Sequence, residues 1–324
     1  MPDLSVCITT YNLYDYIDET LESVMNQRTK YSVEILIGDD GSTDGTIEKI
    51  MEWQAKYPGL IRYYQVERDP NKKYNFIYRA AQNRINLMKY ARGKYINFLD
   101  GDDLYKHDNF YESAINILKD PNNSDCMGCC GKTEMFFPDG RTQLFSHIFE
   151  GKISLENYWR GLYTHSEATI YRNNIDVDIR YLDYFDDNMI MFLAFKKGRL
   201  YCMPDIVASY RQKEGSFLTR SALEQSLYGI IDYDVECRIN PKLQSIIAER
   251  HAVQFYTVYQ SIDGITIENF PDIFQMAIYM NSNTLINIFY KNIDKSKRQS
   301  CENIINHIIN NEFYLKNEKG KIKI

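Results

Sequence analysis

The sequence predicts an α/β protein: a mostly parallel sheet flanked by helices, followed by a helical C-terminal region. Three observations carry this. Short β-branched and apolar runs alternate with amphipathic helical stretches through the first hundred residues, and strands alternating with helices build parallel sheets through right-handed crossovers. From Ser221 onward the period becomes helical throughout. The hydrophobic fraction, 44% of 324 residues, suffices for a packed core in a domain of this size.

The elements follow in order. Residues 4–9 form the first apolar strand, and a helix over 16–27 sets Ile17, Leu21 and Val24 on one face. Residues 33–37 form a second strand, 39–45 a polar turn and 46–57 a helix. A third strand is predicted at 61–66, a longer helix at 75–91 and a fourth, buried strand at 95–99. Further on, 126–137 reads as a strand joined through the turn Pro138-Asp139-Gly140-Arg141 to residues 142–149 as a hairpin. Helices are predicted at 222–231, 242–261, 273–281 and 300–311, with the boundary near 217–220. The division is therefore 1–218 for the sheet domain and 219–324 for the helical region.

Composition narrows the function. A net charge of −6 argues against nucleic-acid binding through a basic surface. The 27 tyrosines suit cores and sugar stacking equally, so their abundance decides nothing. No secretory pattern opens the chain, no apolar run is long enough to cross a bilayer, and seven cysteines fit a reduced compartment, so a cytoplasmic protein is expected. Cys126, Cys129 and Cys130 lack the second ligand pair of a zinc knuckle, and their apolar neighbours point to a buried strand. Residues 291–324 carry eight Lys or Arg against four Asp or Glu, a local +4, with Ile304, Ile305, Ile308 and Ile309 at helical spacing. The first expectation there is a helix with a solvated basic face. The second is peripheral contact with the anionic inner face of the plasma membrane, where a lipid-linked acceptor would wait.

Ligands of parallel sheets bind at the carboxyl ends of the strands. There the sequence places Thr9-Thr10-Tyr11-Asn12, then Gly38-Asp39-Asp40-Gly41-Ser42-Thr43-Asp44-Gly45-Thr46, then Asp100-Gly101-Asp102-Asp103. Asp100 and Asp102 are two apart, so in an extended segment both carboxylates face one way. Two hard oxygen ligands suit Mg²⁺ or Mn²⁺. A lone D-x-D is more often a cap or solvated turn. Its position directly after the buried run Tyr-Ile-Asn-Phe-Leu favours the ligand role. In the second tip, Ser42 and Asp44 cap the helix at Thr46 while Asp39 or Asp40 faces a ligand.

These three motifs, in this order and spacing, resemble the inverting glycosyltransferases of family 2, with the GT-A fold, of the bacterial polysaccharide type. The resemblance is carried by about the first hundred residues and continues more weakly to Ser216. It implies that Thr9 and Tyr11 line a base pocket with Tyr11 stacking on uracil, and that Asp39 accepts a hydrogen bond from the base. Asp100 would sit near the ribose, with Asp100 and Asp102 holding the metal on the diphosphate. Asn12, Asp40, Gly101, Arg84 and Arg211 complete the implied nucleotide-binding set. Where family members often carry an Arg-Asn pair, this chain has Gln82-Asn83-Arg84, leaving Arg79, Arg84 or Lys73 to contact phosphate.

The resemblance also implies a catalytic base in an acidic pair that opens a later helix. Asp186-Asp187 fits, with Asp187 the base, Asp186 its understudy and Asp183 a further alternative. Two acids at a helix start are otherwise ordinary complements of the helix dipole. Tyr210-Arg211 matches a Tyr-Arg element, and Lys213 stands where the family frequently has a histidine.

The implied activity is metal-dependent single displacement from a nucleotide-sugar, a UDP-sugar, to a hydroxyl of a glycan or lipid-linked acceptor in surface polysaccharide assembly. A nucleotidyltransferase ranks behind, because the Thr-Thr-Tyr-Asn tip lacks a glycine-rich loop with a basic residue. A non-catalytic nucleotide-sugar-binding protein is the other alternative. The acceptor is expected at residues 145–171, including His147, Trp159 and His165, where no motif is readable.

Overall fold

A computed structural model describes residues 1–66, 76–160, 162, 164–175, 187–213, 220–280 and 282–293. The chain divides into two compact units, Met1–Lys213 and Glu214–Ile324.

The first unit begins with the predicted alternation: β1 (Leu4–Thr10), α1 (Ile17–Met25), β2 (Val33–Asp39), α2 (Thr46–Lys56), β3 (Ile61–Gln65), α3 (Phe76–Met88) and β4 (Tyr95–Asp100). All of β1 is buried. Ile17, Leu21 and Val24 of α1 close on Val6, Ile8, Ile35, Ile37 and Leu99 in one core cluster, each such side chain contributing about 1.5–3 kcal/mol on burial.

The chain continues with β5 (Leu104–Tyr105), α4 (Phe110–Lys119), β6 (Cys126–Phe136), β7 (Thr142–Leu144), β8 (Gly151–Ile153), α5 (Leu155–Trp159), β9 (Thr169–Arg172), α6 (Asp187–Lys197) and β10 (Arg199–Arg211). The sheet runs β3-β2-β1-β4-β9-β6-β10-β5, with β7 on β6 and β8 on β10. Strands β1 to β4 pair in parallel, as do β6 and β10. The short β9 is antiparallel to both β4 and β6 and joins the two halves. The register sets Thr9 opposite both Gly38 and Asp100, and Thr10 opposite Asp39. That alignment brings the three polar tips to one edge.

Several elements depart from expectation. The hairpin strand β7 ends at Leu144, short of residue 149. Strand β10, unpredicted over its length, holds Pro204 and Asp205 where its register against β6 shifts. Proline and a bulge disguise a strand in sequence. Helix α4, also unpredicted, buries Phe110, Tyr111, Ala114, Ile115 and Leu118. Cys126, Cys129 and Cys130 lie buried in β6, as their neighbours implied.

The second unit holds α7 (Ala222–Ile239), α8 (Gln244–Arg250), α9 (Ala252–Gln260), α10 (Pro271–Tyr279) and α11 (Asn283–Asn292). Helix α7 outruns its predicted end at 231 because the polar residues beyond it have partners. Asp234 accepts from Ser282 Oγ at 2.6 Å, Thr284 Oγ1 at 2.7 Å and Thr284 N at 2.9 Å, anchoring the start of α11. The single helix predicted over 242–261 is two helices meeting at His251, whose buried Nε2 lies 3.0 Å from Glu236 Oε2 on α7. The helix predicted at 300–311 lies outside the described residues, as does nearly all of the basic segment 291–324. Among the described residues no helix is long and apolar enough to cross a membrane.

Candidate active site

The tips of β1 and β2 are laced together by side chains that each serve the other loop. Asn12, in the left-handed region at φ 52°, accepts from Thr43 N at 2.9 Å through Oδ1, and its own N–H donates to Ser42 Oγ at 2.8 Å. Leu13 N donates to Thr46 Oγ1 at 2.8 Å and Tyr14 N to Asp44 Oδ2 at 3.1 Å. The expected capping by Ser42 and Asp44 is not what is found: the N-cap of α2 is Gly45, at φ 98° and without a side-chain cap, Asp44 Oδ1 accepts from Thr46 N at 3.0 Å, and Ser42 fastens the loop to the neighbouring tip.

Asp39 is fully buried, and its carboxylate is the hub of this loop. Oδ1 accepts from Gly41 N at 2.9 Å and Ser42 N at 2.8 Å. Oδ2 accepts from Thr10 Oγ1 at 3.0 Å and from Ser42 Oγ. A carboxylate offers about four lone-pair positions, and all are used inside the loop. Asp39, expected to receive a base N–H, is here the loop's own acceptor.

Asp40 is paired with Arg79 through Nε, and Arg79 Nη2 also reaches Asp40 O at 3.0 Å. The same guanidinium lies 4.1 Å from the ring centroid of Tyr11, which is 45% exposed and so presents a ring face at the rim. Arg84, expected near phosphate, instead holds Asp100: Nη2 is 2.9 Å from Oδ1 and 3.1 Å from Oδ2. Thr9 Oγ1 donates to the same Oδ1 at 2.6 Å. Lys73 lies outside the described residues.

The loop after β4 is tightly built. Gly101 donates to Thr9 O at 2.8 Å, and a Cβ there would meet Thr10 Cγ2 at 2.6 Å, so only glycine lets the two tips approach this closely. Asp102 Oδ2 lies 2.8 Å from Lys213 Nζ. Arg211 spans the loop: its backbone N donates to Asp103 Oδ1 at 2.8 Å and its Nε to Asp102 O at 2.8 Å, while Nη2 pairs with Glu19.

Asp103 turns inward. It is buried, and burial together with the adjoining Glu167 carboxyl pushes its own carboxyl well above the usual range. Glu167 is itself buried, with His165 Nδ1 at 3.4 Å and the His165 ring stacked 4.9 Å from Tyr210. Sequence reasoning missed this acid pair. The third acid of Asp100-Gly-Asp-Asp103 was its visible half, whereas Glu167 lies in a stretch without pattern. His165 was expected in an acceptor site and is buried against Tyr210 and Glu167, while His147 is exposed. The backbone of Asp187 opens α6. Its side chain, that of Trp159, and Asp186 and Asp183 altogether, lie outside the described residues.

The metal implied by the resemblance can be tested against these donors. Asp100 has both oxygens engaged by Arg84, one shared with Thr9. Asp102 holds an ammonium, and Asp103 faces Glu167. Among the described residues no group of three or more His, Cys, Asp or Glu side chains could hold a metal ion. The described donors do not fit a divalent ion as they stand.

Loops laced at the carboxyl ends of the parallel strands β1, β2 and β4 lie where open α/β sheets bind their ligands. Residues 5–180 match the model of Glycosyl transferase family 2, and the chain belongs to this family. It is 29% identical over 221 residues to the minor teichoic acid biosynthesis protein GgaB of Bacillus subtilis, covering 66% of this chain and 22% of that protein. It is 34% identical over 128 residues to the poly(ribitol-phosphate) β-N-acetylglucosaminyltransferase TarP of Staphylococcus aureus, covering 39% of this chain and 35% of TarP. The chain thus spans well under half the length of these relatives. In fold it resembles S. aureus TarS 1–349 in complex with UDP-GlcNAc, with a TM-score of 0.58 and 19% identity over 89% of this chain and 84% of that one. It also resembles the mannosyltransferase PcManGT of Pyrobaculum calidifontis in complex with GDP-Man and Mn²⁺, with a TM-score of 0.52 and 15% identity over 90% of this chain and 87% of that one. The fold is GT-A.

Proposed function

We propose that the chain transfers a sugar from a UDP-sugar to a hydroxyl of a surface polysaccharide or polyol-phosphate acceptor, with inversion at the anomeric carbon. The observation that carries this is the convergence of Thr9–Asn12, Asp39–Asp40 and Asp100–Asp103 at the carboxyl edge of β1, β2 and β4, with the Tyr11 ring exposed beside them. The teichoic acid relatives and the neighbour of the same fold solved with UDP-GlcNAc support this donor and acceptor class.

In this reading the base stacks on Tyr11 and the diphosphate lies over the loop after β4. Asp187, at the start of α6, takes the acceptor proton as the oxygen attacks the anomeric carbon from the face opposite the diphosphate. One displacement gives inversion.

The test is Asp187→Asn, beside Asp186→Asn and Asp183→Asn. Asparagine keeps shape and hydrogen bonding but cannot accept the proton, so transfer should fall by about 10²–10⁴ with nucleotide binding retained. If Asp187 only complements the helix dipole, asparagine serves nearly as well. Collapse in a neighbour instead moves the base there. Near-wild-type transfer in all three variants ends the proposal.

A further inference from the structure

Three segments distant in sequence meet on the guanidinium of Arg211, the last residue of β10. Its Nε donates to Asp102 O at 2.8 Å, and its Nη2 pairs with Glu19 on α1, 192 residues away. The ring centroids of Tyr16, just before α1, and Phe136, at the end of β6, lie 5.1 and 5.3 Å from the guanidinium carbon. The Arg211 side chain is only 12% exposed, so it is held largely out of water. From the backbone, Arg211 N donates to Asp103 Oδ1 at 2.8 Å. One residue therefore grips both Asp102 and Asp103.

Glu19 is the outer anchor of this grip. It is 54% exposed, and among the described residues Arg211 is its one polar partner. An acid in the first turn of a helix is otherwise an ordinary complement of the helix dipole. Its charge has the wrong sign for contact with an anionic diphosphate. What it can do is set a direction. The guanidinium is rigid and planar, so fixing its Nη2 fixes the line along which the adjacent Nε meets the carbonyl of Asp102.

We propose that Glu19 is a positioning residue for donor binding: acting through Arg211, it holds the loop that presents Asp102 and Asp103, and it touches no ligand itself. The inference rests on the nucleotide-sugar reading above, in which the diphosphate lies over that loop. Arg211 is the strap between α1 and the loop, and the flanking rings of Tyr16 and Phe136 keep it in line.

Charge and positioning predict opposite signs. Removing an acid beside an anionic ligand tightens binding by Coulomb attraction alone, whereas a loosened loop weakens it, because the loop must then be ordered on binding. Titration of the full chain with Mn²⁺ in the buffer throughout, calorimetric for UDP and by NMR shifts for uridine, reads the sign. Glu19→Ala should weaken UDP binding about 3- to 10-fold. Glu19→Lys, which sets a like charge against the guanidinium, should weaken it at least as much. Glu19→Gln, which keeps the bulk and loses only the charge, should fall between wild type and Glu19→Ala. Uridine, which lacks both phosphates, should bind every Glu19 variant within about twofold of wild type. Arg211→Ala should weaken UDP binding more than Glu19→Ala, and adding Glu19→Ala to it should cause no second loss, since the acid acts through the arginine. UDP binding that is unchanged or tighter in the Glu19 variants overturns the inference. So does an equal loss for uridine, or a second loss on top of Arg211→Ala. If the wild-type chain binds neither UDP nor uridine, the nucleotide-sugar reading falls together with this one; each of the other adverse results overturns this one alone.

Discussion

Replacing Asp39 separates a loop hub from a passive surface acid, because alanine and asparagine remove different things. In Asp39→Ala the backbone N–H groups of Gly41 and Ser42 and the hydroxyls of Thr10 and Ser42 all lose their acceptor at a fully buried position. Thr10 has an alternative, since its Oγ1 already lies 3.2 Å from Gly38 O. The two amides have no other acceptor among the described residues. Each orphaned buried donor costs about 1–3 kcal/mol, so Asp39→Ala should cost roughly 3–5 kcal/mol of a total of about 5–15. In Asp39→Asn the remaining oxygen can still accept both amides, and the new NH₂ group faces two hydroxyls that rotate to accept it. The loss is then the charge assistance alone, about 1 kcal/mol. Urea unfolding of both variants without ligand should show Asp39→Ala weaker than Asp39→Asn by about 2 kcal/mol or more. Hydrogen exchange should show the Gly41 and Ser42 amides losing protection in the alanine variant only. Equal effects of the two substitutions, or a loss under about 1 kcal/mol for alanine, would refute the hub role.

Two further predictions concern the same unit. Gly38→Ala places a Cβ 2.0 Å from Asn83 Oδ1 and 3.1 Å from Leu87 Cγ, and so pushes aside the amide that donates to Gly38 O at 2.7 Å. It should lower stability by about 1–3 kcal/mol, and an unchanged melting temperature would contradict the close approach of α3 to β2. Asp103 titrates above its ordinary value in the folded state, so between the two values the native protein holds a proton that the unfolded chain releases. Its stability therefore falls as pH rises from about 4 through the raised value, by about 1.4 kcal/mol per unit for one proton. Asp103→Asn keeps an acceptor for Arg211 N and gives Glu167 a permanent donor, so its stability curve should lack that fall. Identical pH slopes in the two proteins would show that the pair does not hold the proton.

What was legible in the sequence is local, and what was not is the pairing between distant segments. Strands β1 to β4 and helices α1 to α3 announced themselves because each carries its own period, and the strand-end rule then pointed to the three tips that converge at one edge, with no knowledge of contacts. Strand β10 hid behind Pro204, and β9 is only four residues long. Neither is specified by its own pattern; each is held by neighbours already in the sheet. The same division runs through the site. Asp39, Asp100 and Asp102 could be named from their motifs, but not their employment, because their partners lie elsewhere: Thr10 on β1, Arg84 on α3, Lys213 just beyond β10. The Arg211–Asp103 hydrogen bond joins residues 108 apart, and Glu167 reaches Asp103 from a third segment. A motif states which carboxylates gather at the edge. Which cation answers each of them is decided by the fold: at Asp102 it is Lys213, carried there by a strand that the sequence did not announce.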